Sequence, residues 1–394
     1  MDDLNEHFIT EPSALAECCE HLATCPLIGF DTEFIGEQTY IPDLCLVQVA
    51  TPDRLILIDP LSCGPLEAFW RIVADPKKTV VVHAGREEIR FCHFACNEIP
   101  QGLFDIQIAA GVLGLGYPLG YGALIQEVLG LRLSKGETLT DWRRRPLTPD
   151  QIRYAYDDVR HLLALWKNLQ GRLAKLNRLA WLEEELTAFK HRAVVEGPAV
   201  EKWRKLKGIG GLDRKRLAVV REIFAWREEK ALRVNRPSRF ILRDDLIVEA
   251  ARRNPKTEAD MAALRGLNKN DAPAVLEALQ RARNLAPDEW PEAIERENDP
   301  PQVTLVASLL GAVLADICTR KQITPGLAAT TSDIKHLVRA RFRGEPPPEE
   351  SHLTHGWRKE HLLPDLLAFL DGKRGLCVGD IRSETPLAYI ESPG

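Results

Sequence analysis

Apolar residues along the first half of the chain switch between two periods. Leu27–Phe34, Leu44–Ala50, Arg54–Asp59 and Thr79–His83 are short β-branched or apolar runs bounded by Pro, Gly or Asp, the pattern of strands. Short links join the first three, which predicts an antiparallel meander. Leu66–Ala74 then has helical spacing before the fourth strand, and this crossover predicts a mixed sheet with helices packed on it. Further helices are expected at Arg86–Cys96, Asp105–Leu113, Tyr121–Leu129, Pro149–Leu173 and Trp181–Val194. In the long one, Ile152, Ala155, Val159, Leu162, Trp166 and Leu169 recur every third or fourth residue.

After about residue 196 the strand signals nearly vanish. Residues 202–285 carry amphipathic helices with Gly208-Ile209-Gly210-Gly211 and Gly266-Leu267 as turns, and 286–302 reads as a linker rich in Pro, Asp and Glu. A second helical stretch covers 303–372, interrupted by Gly344-Glu345-Pro346-Pro347-Pro348. The expected division is a first domain at 1–198, a second at 199–288, a linker at 289–302, a third domain at 303–373 and an unassigned tail at 374–394. The 394 residues fit two or three domains at about 150 residues each.

Composition narrows the partners. The net charge of −5 excludes a uniformly basic coat, so any nucleic-acid surface must be local. From Lys202 to Arg243, 14 Lys or Arg stand against 4 Asp or Glu, interleaved with Trp203, Trp226 and Phe240, a composition that could track a phosphate backbone. No run approaches 18 uninterrupted apolar residues, which argues against a membrane span. The acidic start argues against a secretory signal. Nine cysteines without a CxxC pair read as reduced cytoplasmic thiols, and Cys92, His93 and Cys96 lack a fourth neighbour for zinc.

The chemical anomaly is in Leu27–Phe34. On a strand, Asp31 and Glu33 project to one face, with Ile28, Phe30, Thr32 and Phe34 on the other. Two like charges in an apolar strand resist burial, and a hard divalent cation such as Mg²⁺ or Mn²⁺ removes the objection. Tyr154 and Asp158, four apart on a helix, stack on one face. After the fourth strand, His83-Ala84-Gly85-Arg86-Glu87-Glu88 offers two glutamates at a strand-to-helix turn, and helical periodicity does not choose between them.

Asp-x-Glu on the first strand, an acidic residue after a later strand and Tyr-x-x-x-Asp on a later helix together resemble the DEDDy family of 3′–5′ exonucleases. Residues 28–34 (IGFDTEF), 79–89 (TVVVHAGREEI), 103–110 (LFDIQIAA), 141–147 (DWRRRPL) and 151–159 (QIRYAYDDV) resemble its bacterial ribonuclease D branch. Residues 202–285 are similar to the HRDC domain of that family, and 303–372, with Gly356-Trp357-Arg358, to a weaker second HRDC-type unit. The resemblance implies an α/β ribonuclease H-like exonuclease domain followed by all-α HRDC-type domains. It also implies removal of nucleotides from RNA 3′ ends by two-metal-ion hydrolysis giving 5′-monophosphates, in a cytoplasmic and monomeric enzyme acting on transfer RNA precursors. Its metal ligands carry over to Asp31, Glu33, Glu88 and Asp158, holding two Mg²⁺ or Mn²⁺ ions, and its tyrosine to Tyr154. Glu88 departs from the family's Asp. Phe34, His83, Gln107, Lys135, Arg143 and Arg145 are candidate substrate contacts, although His83 also suits a structural role. Two other readings are a nucleic-acid-binding protein on a weakened exonuclease scaffold and a DNA exonuclease. A helicase sharing the HRDC unit is disfavoured, because no GxxxxGK[ST] loop exists.

Overall fold

The computed structural model describes residues 4–133, 141–195, 202–294, 299–349 and 351–391. Strands β1 (Asn5–Ile9), β2 (Leu27–Ile35), β3 (Asp43–Ala50), β4 (Arg54–Ile58), β5 (Thr79–Val82) and β6 (Leu103–Asp105) form one mixed sheet in the order β1-β4-β3-β2-β5-β6. β2, β3 and β4 make the expected antiparallel meander, β5 and β6 extend it in parallel beyond β2, and β1 runs parallel to β4 at the other edge. The apolar pattern misses both edge strands. β1 reads Asn-Glu-His-Phe-Ile with mostly exposed positions, and β6 has only three residues, too few for a period of two to register.

Helices cover both faces. α1 (Pro12–Thr24), which the sequence reading also missed, shares one face with α2 (Glu67–Ala74) and α3 (Arg86–Cys96). There Phe30 of β2 meets Phe69 and Trp70 edge-on at 5.9 and 6.0 Å. α4 (Ile106–Val112) and α5 (Tyr121–Leu129) pack on the layer formed by α6 (Pro149–Arg160), α7 (Leu162–Lys175) and α8 (Leu179–Val195) on the opposite side. The single helix expected over Pro149–Leu173 is two, broken at His161. Gly29 makes the close approach of α7 possible, since a Cβ there would stand 3.1 Å from Leu162 Cβ.

A second core belongs to α9 (Arg214–Arg233), α10 (Asp244–Arg253) and α11 (Ala272–Asn284), around Trp203, Ile223, Ile247 and Leu279. Trp290 still packs on this core, so the expected linker begins as part of it. The third core lies among α12 (Pro301–Arg320), α13 (Thr331–Arg343) and α14 (Leu363–Leu370). By length and composition α12 is apolar enough to cross a membrane, which a search for uninterrupted apolar runs overlooks. Its Val303, Ala307, Leu310, Leu314 and Ile317 face pack into the third core. The unassigned tail is a hairpin, β7 (Arg374–Val378) with β8 (Leu387–Glu391).

Both helical units are seated on the first. Arg178 donates to the carbonyls of Val112 at 2.9 Å and Gln322 at 2.6 Å, Trp181 stacks on Trp357 at 4.9 Å, and Glu185 accepts from the Trp357 indole at 2.8 Å and from Arg358. On the other side, Asn235 Oδ1 accepts from the backbone N–H groups of Tyr40 and Ile41 at 3.1 and 2.8 Å, and the Tyr40 hydroxyl donates to Glu228 at 3.2 Å. The β2–β3 loop is therefore held by the middle unit.

Candidate active site

The site is built on β2. Gly29, Asp31 and Glu33 alternate onto the face under α6 and α7, while Ile28, Phe30 and Thr32 are buried on the other. The register of β2 against β3 shifts between Glu33 and Phe34, an irregularity of the kind that re-aims side chains beside functional sites. Asp31 Oδ1 accepts the backbone N–H of Thr32 at 2.9 Å.

α6 brings the second pair. Thr148 starts it with a capping box, its Oγ1 accepting from Gln151 N at 3.2 Å while Gln151 Oε1 accepts from Thr148 N at 2.8 Å. Two turns on, Tyr154 and Asp158 stack on one face, and each acts electrostatically on the other. The Tyr154 ring leans on Trp142 at 6.0 Å.

α3 supplies Glu88. It is 5% exposed and accepts from Thr32 Oγ1 at 2.6 Å, whereas Glu87 is bound to Arg90 at 2.8 and 3.0 Å. Periodicity left these two glutamates open, and burial separates them.

The carboxyls of Asp31, Glu33, Glu88 and Asp158 interact electrostatically at this one locus. Burial raises Asp31 to about 6, against its hydrogen bond from Thr32 and the nearby His83. Burial and then the charge of Asp31 raise Glu88 to about 8 and Asp158 to about 8. Glu33 rises to about 9, through burial and the charges of Asp31, Asp158 and Glu88. The Tyr154 phenol is pushed above its ordinary value by burial and by Asp158. Such a set of hard, mutually repelling oxygens suits a divalent cation. Among the described residues no three His, Cys, Asp or Glu side chains lie close enough together to hold a metal ion as they stand, and Glu88 is engaged with Thr32.

The remaining candidates separate. His83 Nε2 lies 2.9 Å from the Leu119 carbonyl, which can only accept, so this nitrogen carries a proton. Gln107 Nε2 donates to the same carbonyl at 3.2 Å. Both brace the loop before α5. Phe34 packs edge-on against Phe91 at 5.5 Å. Arg143 is half exposed and loosely paired with Asp141 and Asp43 at 3.5 and 3.9 Å. Lys135 falls outside the described residues.

Arg145 requires a correction. Its guanidinium forks onto Asp59 at 2.6 and 2.8 Å and also donates to the Trp142 carbonyl at 2.7 Å and the Cys45 carbonyl at 2.8 Å. Every arm is bonded inside the protein, so the residue clamps the loop that carries Trp142. Burial opposes charge on Asp59, but the Arg145 fork outweighs it and holds the carboxyl below its ordinary value.

Sequence reasoning also passed over Asp105 and Gln48. Asp105 is fully buried, caps α4 through Gln107 N at 2.8 Å and accepts from Gly85 N at 2.9 Å, bracing the turn before Glu88. An Asp closing a strand directly before a helix is an N-cap signal that could have found it. Gln48 faces Asp31 across the β2–β3 register and carried no signal beyond being polar in an apolar strand.

Comparison with known proteins gives these contacts a family. A 3′–5′ exonuclease model matches residues 7–174 and an HRDC domain model residues 216–283. Ribonuclease D of Pseudomonas paraeruginosa is 36% identical, covering 92% of this chain and 97% of its own length. The chain belongs to the ribonuclease D family. Ribonuclease D of Granulibacter bethesdensis is 35% identical and covers 94% of this chain and 93% of its own. The crystal structure of Escherichia coli RNase D, an exoribonuclease involved in structured RNA processing, superimposes with a TM-score of 0.79 at 29% identity, covering 94% of this chain and 99% of that one. As a ribonuclease D, the chain is a 3′–5′ exoribonuclease acting on RNA, and its exonuclease family implies dependence on divalent metal.

Proposed function

We propose that this enzyme trims the 3′ ends of structured RNA, transfer RNA precursors above all, releasing one nucleoside 5′-monophosphate per turnover with two Mg²⁺ or Mn²⁺ ions bound. Asp31, Glu33 and Asp158 would hold one ion, and Asp31 with Glu88 the other. Bound there, the metal supplies an activated water and neutralises charge on the phosphate in flight. Hydrolysis would bond a water oxygen to the terminal phosphorus and break the bond to the 3′-oxygen of the penultimate nucleotide, which would leave as a hydroxyl carrying a proton from that water.

Tyr154 orients the water. With its value raised by burial and Asp158, the phenol keeps its proton at neutral pH, so it acts by hydrogen bonding and not as a base. Asp158, one turn further along α6, acts on the phenol electrostatically, and Trp142 holds the ring. Thr32 anchors Glu88, whose extra methylene relative to the family's Asp is taken up by this contact. We further read the protein as a cytoplasmic monomer: its nine cysteines are free thiols, and α12 serves as a core helix.

The observation that carries the reading is that Glu33 of β2, Glu88 of α3 and Asp158 of α6 are each raised by burial and by the charge of Asp31, beside a phenol that keeps its proton. The test is a 5′-labelled RNA with a 3′ tail, incubated with Mg²⁺, Mn²⁺ or EDTA. A one-nucleotide ladder should appear only with metal and be abolished by Asp158→Ala, while Tyr154→Phe slows turnover strongly at unchanged RNA affinity. A ladder in EDTA, or normal turnover by Asp158→Ala, refutes it.

A further inference from the structure

The centre of the sheet contains an amide that the fold itself does not use. Gln48 lies in the middle of β3, is 0% exposed, and is flanked by Val47 and Val49. Among the described residues neither its Nε2 nor its Oε1 has a hydrogen-bond partner. Among the described residues Trp166, Trp203 and Trp290 each leave one buried indole N–H unpaired, but Gln48 leaves both ends of a side chain unpaired. A buried amide without partners costs stability, and a methionine would fill the same space without that penalty. Packing alone therefore does not account for it.

Its position does. The β2–β3 register sets Gln48 directly opposite Asp31, with Leu57 of β4 on its other side. Directly opposed residues share a face and have Cβ atoms about 4.5–5.5 Å apart, within reach of an amide-to-carboxylate hydrogen bond after rotation of either side chain. Asp31 has one described hydrogen bond, from Thr32 N, so its carboxylate retains free lone pairs. Carboxylates that bind metal are commonly held by a second hydrogen bond from behind. A neutral donor suits that task, because a lysine or arginine would compete with the cation and an apolar residue would leave the carboxylate free to turn.

We propose that Gln48 is a positioning residue, its Nε2–H group holding the Asp31 carboxylate in the orientation that binds divalent metal. This rests on the reading of Asp31 as a ligand. Gln48 touches neither RNA nor the attacking water; it acts through Asp31.

The experiment compares full-length wild type, Gln48→Met, Gln48→Leu and Asp31→Asn. Mn²⁺ affinity is read by titration calorimetry, the metal-free melting temperature by calorimetric scanning, and kcat and KM on tailed RNA at saturating Mn²⁺. Gln48→Met should melt at or above the wild-type temperature without metal, yet bind Mn²⁺ about 10–100-fold more weakly and lose kcat at unchanged KM. Raised melting with wild-type Mn²⁺ affinity and kcat would make Gln48 strand filler and overturn the proposal. So would loss of folding in both Gln48→Met and Gln48→Leu, which would show the amide to be structural. If Asp31→Asn binds Mn²⁺ as wild type does, the ligand reading itself fails, and the inference fails with it for a separate and visible reason.

Discussion

Asp31, Glu33, Glu88 and Asp158 share an electrostatic problem whose signature is measurable. Their folded-state values lie above the ordinary carboxylate range, so protonation stabilises the metal-free fold. That contribution is complete below the ordinary range. It is lost as pH rises through about 6 for Asp31, about 8 for Glu88 and Asp158, and about 9 for Glu33. The metal-free melting temperature should therefore fall between pH 6 and 9, and saturating Mg²⁺ should flatten the decline because ligands bind deprotonated. A metal-free profile that is flat or rises over that window would contradict the clustering of these groups. The two adjacent glutamates give a sharper comparison. Glu88→Ala should reduce turnover at least about 100-fold, and Glu88→Asp should retain activity. Glu87→Ala, which only frees Arg90, should cost little. If Glu87→Ala is the dead variant, the assignment is wrong by one position.

The loop from Asp141 to Leu147 shows how an element reaches the chemistry without touching it. Arg145 ties it to Asp59 and to the Cys45 carbonyl, and the same guanidinium holds the Trp142 carbonyl behind the indole that supports Tyr154. Arg145→Ala leaves Asp59, 1% exposed, without its partner and should cost about 3 kcal/mol in chemical denaturation, the low end for a broken buried pair because Arg145 is itself about a quarter exposed. It should also slow turnover by loosening Tyr154, so its kinetic penalty should shrink on a Tyr154→Phe background. Full additivity would place Arg145 outside the Tyr154 pathway. This clamp was illegible in the sequence. A run of three arginines reads the same whether it is solvated or paired, and Asp59 is 86 positions away. By contrast, Asp31 and Glu33 were legible because a period of two forces them onto one face, and Tyr154 and Asp158 because a helical turn does. The two edge strands left no such period. The break at His161 was invisible because the apolar stripe runs on from Val159 to Leu162 across it.

At the scale of the whole molecule, the basic surplus of the middle unit is smaller in the fold than in the sequence. Arg216, Arg221, Arg227, Lys230 and Arg243 are in ion pairs, and Arg214 holds the carbonyls of Trp290 and Pro291. Trp203 is core, and of the aromatic residues in that stretch Phe240 is the exposed one. Lys205, Lys207, Lys215, Arg233 and Arg236 are exposed and, among the described residues, have no ion-pair partner. If the middle unit tracks RNA, these are the cations that release counterions. Removing everything after residue 200 would be a poor test, since Arg178, Trp181 and Glu185 would lose the third unit packed on them. The sharper variant changes Lys205, Lys207 and Lys215 together to Gln, leaving both domain contacts in place. Its log–log slope of RNA affinity against salt should flatten by about 2, at about 0.7–0.9 per lost phosphate contact, while turnover of short oligonucleotides stays at the wild-type rate. An unchanged slope on long tailed RNA would turn this face away from the substrate. A slope that changes together with the short-oligonucleotide rate would mean that the lysines act at the catalytic site instead of along the backbone.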